Sequence, residues 1–111
     1  MSEFIQVTTT VAIQEDADIL AKLALENRLA ACVQVSSCRS TYHWEGNIEQ
    51  NNELKLIMKS HRKLYPELEK LILENHPYDV PEIIALPVLE CNSAYLDWLA
   101  NELKASESGD E

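Results

Sequence analysis

Residues 31–44 alternate in character with a period of two: Val33 and Val35 fall between Cys32, Gln34 and Ser36. That pattern reads as one extended strand. Glu45-Gly46-Asn47 and Gln50-Asn51-Asn52 supply turn chemistry. Residues 53–59 then return with Leu54, Leu56 and Met58 on one face. Strands of about a dozen residues are roughly twice the usual length. In a chain of 111 residues such arms extend past the core. Their edges stay open unless another chain covers them. The hairpin is therefore expected to serve assembly rather than catalysis.

The flanking segments read in order around it. Residues 4–11 are rich in β-branched side chains and form a first strand. Glu15, Asp16 and Asp18 suit the first turn of a helix over 14–29, where the dipole favours acids. Its polar stripe is only Glu15, Asp18, Lys22 and Glu26, which predicts a helix covered on more than one side. Leu64, Leu68, Leu71 and Ile72 follow i, i+4, i+7, i+8 and predict a helix over 63–75, with Pro66 in its first turn. It stops at Asn75-His76-Pro77. Residues 82–89 read as a fourth strand, and Pro87 marks an edge or a bulge. Asn92-Ser93 opens a third helix with Leu96, Leu99, Ala100 and Leu103 on its core face. The order β-α-β-β-α-β-α predicts an α+β fold. Its first six elements match the ferredoxin-like antiparallel sheet with two helices on one face. Residues 1–104 are expected to be a single domain, and the small, acidic residues 105–111 a disordered tail.

Charge narrows the partners. The net charge is −10, from 19 acids and nine bases, and no basic run exceeds Arg62-Lys63. Nucleic acid needs a basic patch, so none is expected as a partner. No apolar run approaches 18 residues and no signal peptide is visible, so no membrane span is expected. The cysteines are Cys32, Cys38 and Cys91, an odd count without a C-x-x-C pair. This argues against a disulfide framework and a zinc ribbon, and for reduced thiols in a cytoplasmic protein.

Candidates for chemistry are scattered. With only Gly46 and Gly109 there is no phosphate loop, and neither G-x-S-x-G nor H-E-x-x-H occurs. No enzyme and no organic cofactor are expected. Cys32 and Cys38 share a strand, six residues or about 20 Å apart, so one metal ion cannot take both from one chain. A bulge between them would also send them to opposite faces. A metal site must draw on another element or another subunit. Each thiol can equally be a small buried hydrophobe. His76 ends a helix, where it can complement the dipole, ligate, or carry a proton. Glu53 and Lys59 share a face of the returning strand, where ion pairing is the plain explanation. Tyr42 and Trp44 near the arm tip, and Tyr95 and Trp98 off the core face of the last helix, suit either a protein interface or stacking on a small ligand.

The stretches Arg28-Leu-Ala-Ala-Cys-Val33, Tyr42-His-Trp-Glu-Gly46, Lys59, His76-Pro-Tyr-Asp-Val-Pro-Glu-Ile83 and Tyr95-Leu-Asp-Trp98 resemble the CutA divalent-cation-tolerance family in order and spacing. The resemblance covers about residues 3 to 103. It implies a ferredoxin-like homotrimer in which the hairpin of one subunit extends the sheet of the next, with Tyr42 and Trp44 as contacts. It also implies a role in tolerance of or response to divalent metal ions, with Cu(II) the likeliest example in the family's naming. Carried over by position, Cys32 and His76 are the implied metal ligands. Glu53, Lys59, Tyr78, Glu82, Tyr95 and Trp98 would lie near a pocket between subunits. The family's architecture is similar to that of the PII signalling proteins, so that pocket is alternatively one for a small metabolite. One departure is Val11-Ala-Ile-Gln14, which lacks the Pro-Asp helix start of relatives.

Overall fold

The computed structural model describes residues 3–105. Eight β-branched and polar residues form β1, Phe4–Val11, and α1 follows at Gln14–Glu26. The two arms are β2, Cys32–Trp44, and β3, Asn47–His61. A 3-10 turn at Arg62–Leu64 leads into α2, Tyr65–Asn75, and the chain ends with β4, Ile84–Pro87, and α3, Ser93–Glu102. The strands make one four-stranded sheet in the order β2-β3-β1-β4, with every neighbouring pair antiparallel. This is a mixed α+β fold.

One face of that sheet carries the core. Ile5, Val7 and Val11 of β1 and Leu56 and Met58 of β3 are buried with Ala17, Leu20 and Ala24 of α1 and Leu68 and Ile72 of α2. The alternation along β1 and the i, i+3, i+4 spacing on the helices thus meet in a single apolar layer. Two hydroxyls share this interior. Ser60 Oγ donates to the Leu29 carbonyl at 2.6 Å. Thr9 Oγ1 is buried with no hydrogen-bond partner.

The arms extend as the periodicity requires. The β2–β3 register runs unbroken from Cys32↔Lys59 to Trp44↔Asn47. Glu45 (φ 49°) and Gly46 (φ 83°) form the connecting turn. Left-handed conformations at both central positions define the hairpin turn whose twist matches its strands. The second turn signal is overruled: Gln50, Asn51 and Asn52 are strand residues opposite Thr41, Ser40 and Arg39. A turn already completed at Gly46 leaves them facing a ready ladder. The radius of gyration is 14.8 Å, against about 13 Å for a compact domain of this length. The arms account for the 47 Å longest dimension.

Several boundaries move for local reasons. Helix α1 stops at Glu26. Arg28 takes φ 55°, so that Leu29 N–H reaches the Ala24 carbonyl and Arg28 N–H the Leu25 carbonyl. This is a Schellman ending with arginine where glycine is usual. The Arg28 guanidinium binds the Glu102 carbonyl at 3.0 Å, and its own carbonyl accepts from Lys104 N–H at 2.9 Å. The residue thereby ties the end of α1 to the end of α3. The N-cap of α1 is Ile13, without a side-chain cap, in keeping with the missing Pro-Asp start. The expectation of a helix covered on more than one side fails within one chain, because Ile19 is 44% and Leu25 42% exposed. Strand β4 is only four residues long and lies at the sheet edge, where Pro87 closes it. On α3, Leu99 is buried while Ala100 is exposed, against expectation. Only Ala105 of the predicted tail is described, and 106–111 lie outside the described residues.

Candidate functional site

Glu53 is the hub of the first group of polar residues. It sits opposite Cys38 in the β2–β3 ladder. Its carboxylate accepts from Ser40 Oγ at 2.6 Å and from the Tyr78 hydroxyl at 2.7 Å. Cys38 Sγ lies 4.0 Å from Ser40 Oγ. An open groove of about 700 Å³ runs past Cys38, Arg39, Asn52 and Glu53 to Ala12 and Gln14. These bonds join both arms to the segment after α2. Hydrogen bonds to a carboxylate are among the stronger ones, typically worth about 1.5–3 kcal/mol before exposure discounts them.

His76 extends this group to β1. One ring nitrogen, Nε2, lies 2.8 Å from the Thr10 carbonyl, and Nδ1 is 3.1 Å from the Tyr78 backbone N–H. A carbonyl can only accept and an N–H can only donate, so the proton is on Nε2. His76 is the C-cap residue of α2, but its ring bonds β1 rather than the helix's last carbonyls. Dipole capping is therefore not its job. The Tyr78 ring packs edge-on against it at 4.8 Å between centroids. Both ring nitrogens are engaged, so a metal ion at Nδ1 must first displace the Tyr78 N–H.

Burial holds the His76 imidazole below its ordinary pKa of 6.5, against the opposing pull of the Thr10 carbonyl, Asp16 and Glu53. Burial, together with Glu53, pushes the Tyr78 phenol above its ordinary 10.0. The folded state thus takes up fewer protons than the unfolded at His76 and keeps one longer at Tyr78. Stability contributed at His76 is complete above pH 6.5 and falls as pH drops below it. Stability contributed at Tyr78 is complete below pH 10.0 and falls as pH rises past it. Thermal unfolding across pH should show a plateau between these limits. His76→Gln should flatten the acid limb relative to wild type, and Tyr78→Phe the alkaline limb. Parallel profiles for wild type and both variants would refute the assignment.

The second group lies at the root of the arms. Cys32, half-buried, pairs with Lys59 across β2 and β3. The Lys59 ammonium sits over the Tyr95 ring, 5.6 Å from its centroid. Tyr95 in turn stacks on Trp98 at 5.6 Å and 29°. The unbroken register places Cys32 and Cys38 on the same face, so no bulge separates them. It also parts Cys32 from His76. Cys32 is level with Lys59, whereas Thr10, which His76 binds, is level with Lys55. Four residues of strand span about 13 Å.

The remaining expected residues are dispersed. Glu82 is exposed in the segment before β4. The Tyr42 hydroxyl accepts from Asn51 Nδ2 along the arm, and Trp44 is 52% exposed beside the turn. Among the described residues no three His, Cys, Asp or Glu side chains gather where they could hold a metal ion. No described helix is long and apolar enough to cross a membrane. Sequence reasoning missed Ser40, Cys38 and Thr10. Counting back from a two-residue turn at Glu45-Gly46 pairs Cys38 with Glu53 and finds the first two. Nothing local signals the Thr10 carbonyl.

Comparison with known proteins fits these positions. The model of the CutA1 divalent ion tolerance protein family matches residues 5–102. A divalent-cation tolerance protein CutA from Thermus thermophilus is 45% identical over 94 residues, 84% of this chain and 91% of that one. The crystal structure of CutA1 from Pyrococcus horikoshii superposes with a TM-score of 0.87 at 42% identity, covering 91% of this chain and 99% of that one. The crystal structure of CutA1 from Oryza sativa does so with a TM-score of 0.90 at 39% identity, covering 95% and 97%. With nearly the whole chain matched in sequence and in fold, this protein belongs to the CutA1 divalent ion tolerance protein family.

Proposed function

We propose that the chain acts in divalent metal tolerance as a cytoplasmic homotrimer that binds metal ions, Cu(II) among them, at sites completed between subunits. Cys32 and His76 are the ligands in this reading. The observation that carries it is their separation. A thiol and an imidazole suit copper, yet within one chain they lie in two groups, each short of a donor set. Cys32 of one subunit and the Glu53–Tyr78–His76 group of the next then make one site. The sheet order and two crossover helices favour a ferredoxin-like unit. The exposed arms, and Ile84 and Leu86 at 50% and 56% exposure on the edge strand, favour a neighbouring copy. The role is binding rather than catalysis, and residues 105–111 form a disordered tail.

Calorimetric titration with Cu(II) tests the site. Cys32→Ser and His76→Ala are each expected to weaken binding by about tenfold or more, the scale of losing one ligand. Wild-type affinity in both variants would refute it. Trp44→Ala, at the arm tip, should shift the trimer toward smaller species by light scattering at micromolar concentration. An equally stable trimer would remove Trp44, and with it Tyr42, from the contact.

A second reading has its own support. Lys59 beneath the Tyr95–Trp98 stack, with Tyr78 and Glu82 contributed from the segment after α2, suits a small anionic metabolite in the same intersubunit pocket. Ligand-dependent thermal shifts across a panel of nucleotides and carboxylates test it.

A further inference from the structure

We propose that the helix-free face of the sheet binds a small phosphate-bearing anion, held between Lys55 and Lys59. The proposal rests on the metabolite reading above and extends it from Lys59 to Lys55. Cross-strand partners share a face, so the register builds this surface row by row. Cys32, Lys59, Gln6 and Leu86 form one row; Gln34, Ile57, Thr8 and Ile84 the next; Ser36, Lys55 and Thr10 the third. None of these rows contains an acid, in a chain with 19.

The two lysines are also set apart from the other cations. Lys22, Arg28, Arg62 and Lys104 each have a carboxylate oxygen within 4.0 Å. Among the described residues Lys55 and Lys59 have none, and the Lys59 ammonium meets the Tyr95 ring instead. Both are half-buried, which brings their charge close to the sheet surface. They stand about 13 Å apart along β3, and their flexible stems allow both ammoniums to lean over the row between them.

The surrounding donors select the ligand. Thr8 and Ser36 offer hydroxyls, and Gln6 and Gln34 offer amide N–H groups. No guanidinium shares the face, so the planar fork that favours carboxylates is missing. Point-charge ammoniums with hydroxyl donors suit phosphate. Glu53 ends the face in the row beyond Lys55, with its oxygens already accepting from Ser40 and Tyr78. Its charge confines an anion to the stretch between the lysines.

Titration of the full chain with inorganic pyrophosphate at low salt tests this. Wild type should bind saturably, and less tightly as salt rises. Lys55→Gln and Lys59→Gln should each weaken binding by about tenfold, the scale of one charge-assisted hydrogen bond. Lys70→Gln, on the exposed side of α2, should leave it unchanged. Circular dichroism and sizing confirm that the variants stay folded and assembled. Absence of binding to wild type at millimolar pyrophosphate overturns the proposal, as does wild-type affinity in Lys55→Gln. Dependence on Lys59 and Trp98 but not Lys55 overturns it while leaving the metabolite pocket standing. Lysine variants that dissociate the assembly yet bind pyrophosphate normally assign both residues to subunit contact and also overturn it.

Discussion

Leu20→Ala is expected to lower the free energy of unfolding by about 2–5 kcal/mol, the range for truncating a fully buried leucine. Leu20 is 0% exposed and packs with Val7, Val11, Leu56 and Ile72 in the single core of the chain. A domain of this size has a total stability of about 5–15 kcal/mol, so the loss is a large share of it. The neighbouring Ile19 is 44% exposed on the opposite side of α1, so Ile19→Ala should change stability far less. Urea unfolding at fixed protein concentration would show this as a drop in midpoint at unchanged slope. Equal effects at the two positions would mean that α1 is covered on both sides in the assembled protein. That outcome would restore the expectation drawn from its narrow polar stripe.

The second large effect separates two buried hydroxyls of opposite consequence. Ser60→Ala should destabilise by about 1–3 kcal/mol, because it strands the Leu29 carbonyl without its 2.6 Å donor. That carbonyl anchors the turn between α1 and Cys32, so the thiol should also become more reactive toward a maleimide probe. Thr9→Val should instead stabilise by about 1 kcal/mol, since Thr9 Oγ1 is buried without a partner and valine keeps its shape. A shared sign for the two substitutions would show that Thr9 has a partner in solution, such as a buried water.

Much of this architecture is legible in the chain. Period two over 31–44, the i, i+4, i+7, i+8 leucines of α2 and the glycine at position 46 specify local conformations that tertiary packing does not override. The elements and their order follow from these. The motif residues around Cys32 and His76 likewise point to the CutA family before any coordinate is known. Boundaries are less secure where two local signals compete. The polar Gln50-Asn51-Asn52 run could have turned the chain, but the turn closing at Gly46 made it strand. Arg28 ended α1 early through a left-handed conformation that nothing in its side chain announces.

What only the tertiary structure decided is which side chains meet. Sequence spacing cannot pair Glu53 with Ser40 and Tyr78, or His76 with the Thr10 carbonyl, because those contacts join residues 13, 25 and 66 positions apart. Long-range pairing is set by sheet order and by a single register across three strands, and a shift of one residue would send every side chain to the other face. The same register separates Cys32 from His76 and gathers Lys55 and Lys59 on a face free of acids. Periodicity determined that the chain would form long arms; the ladder determined what those arms carry to the site.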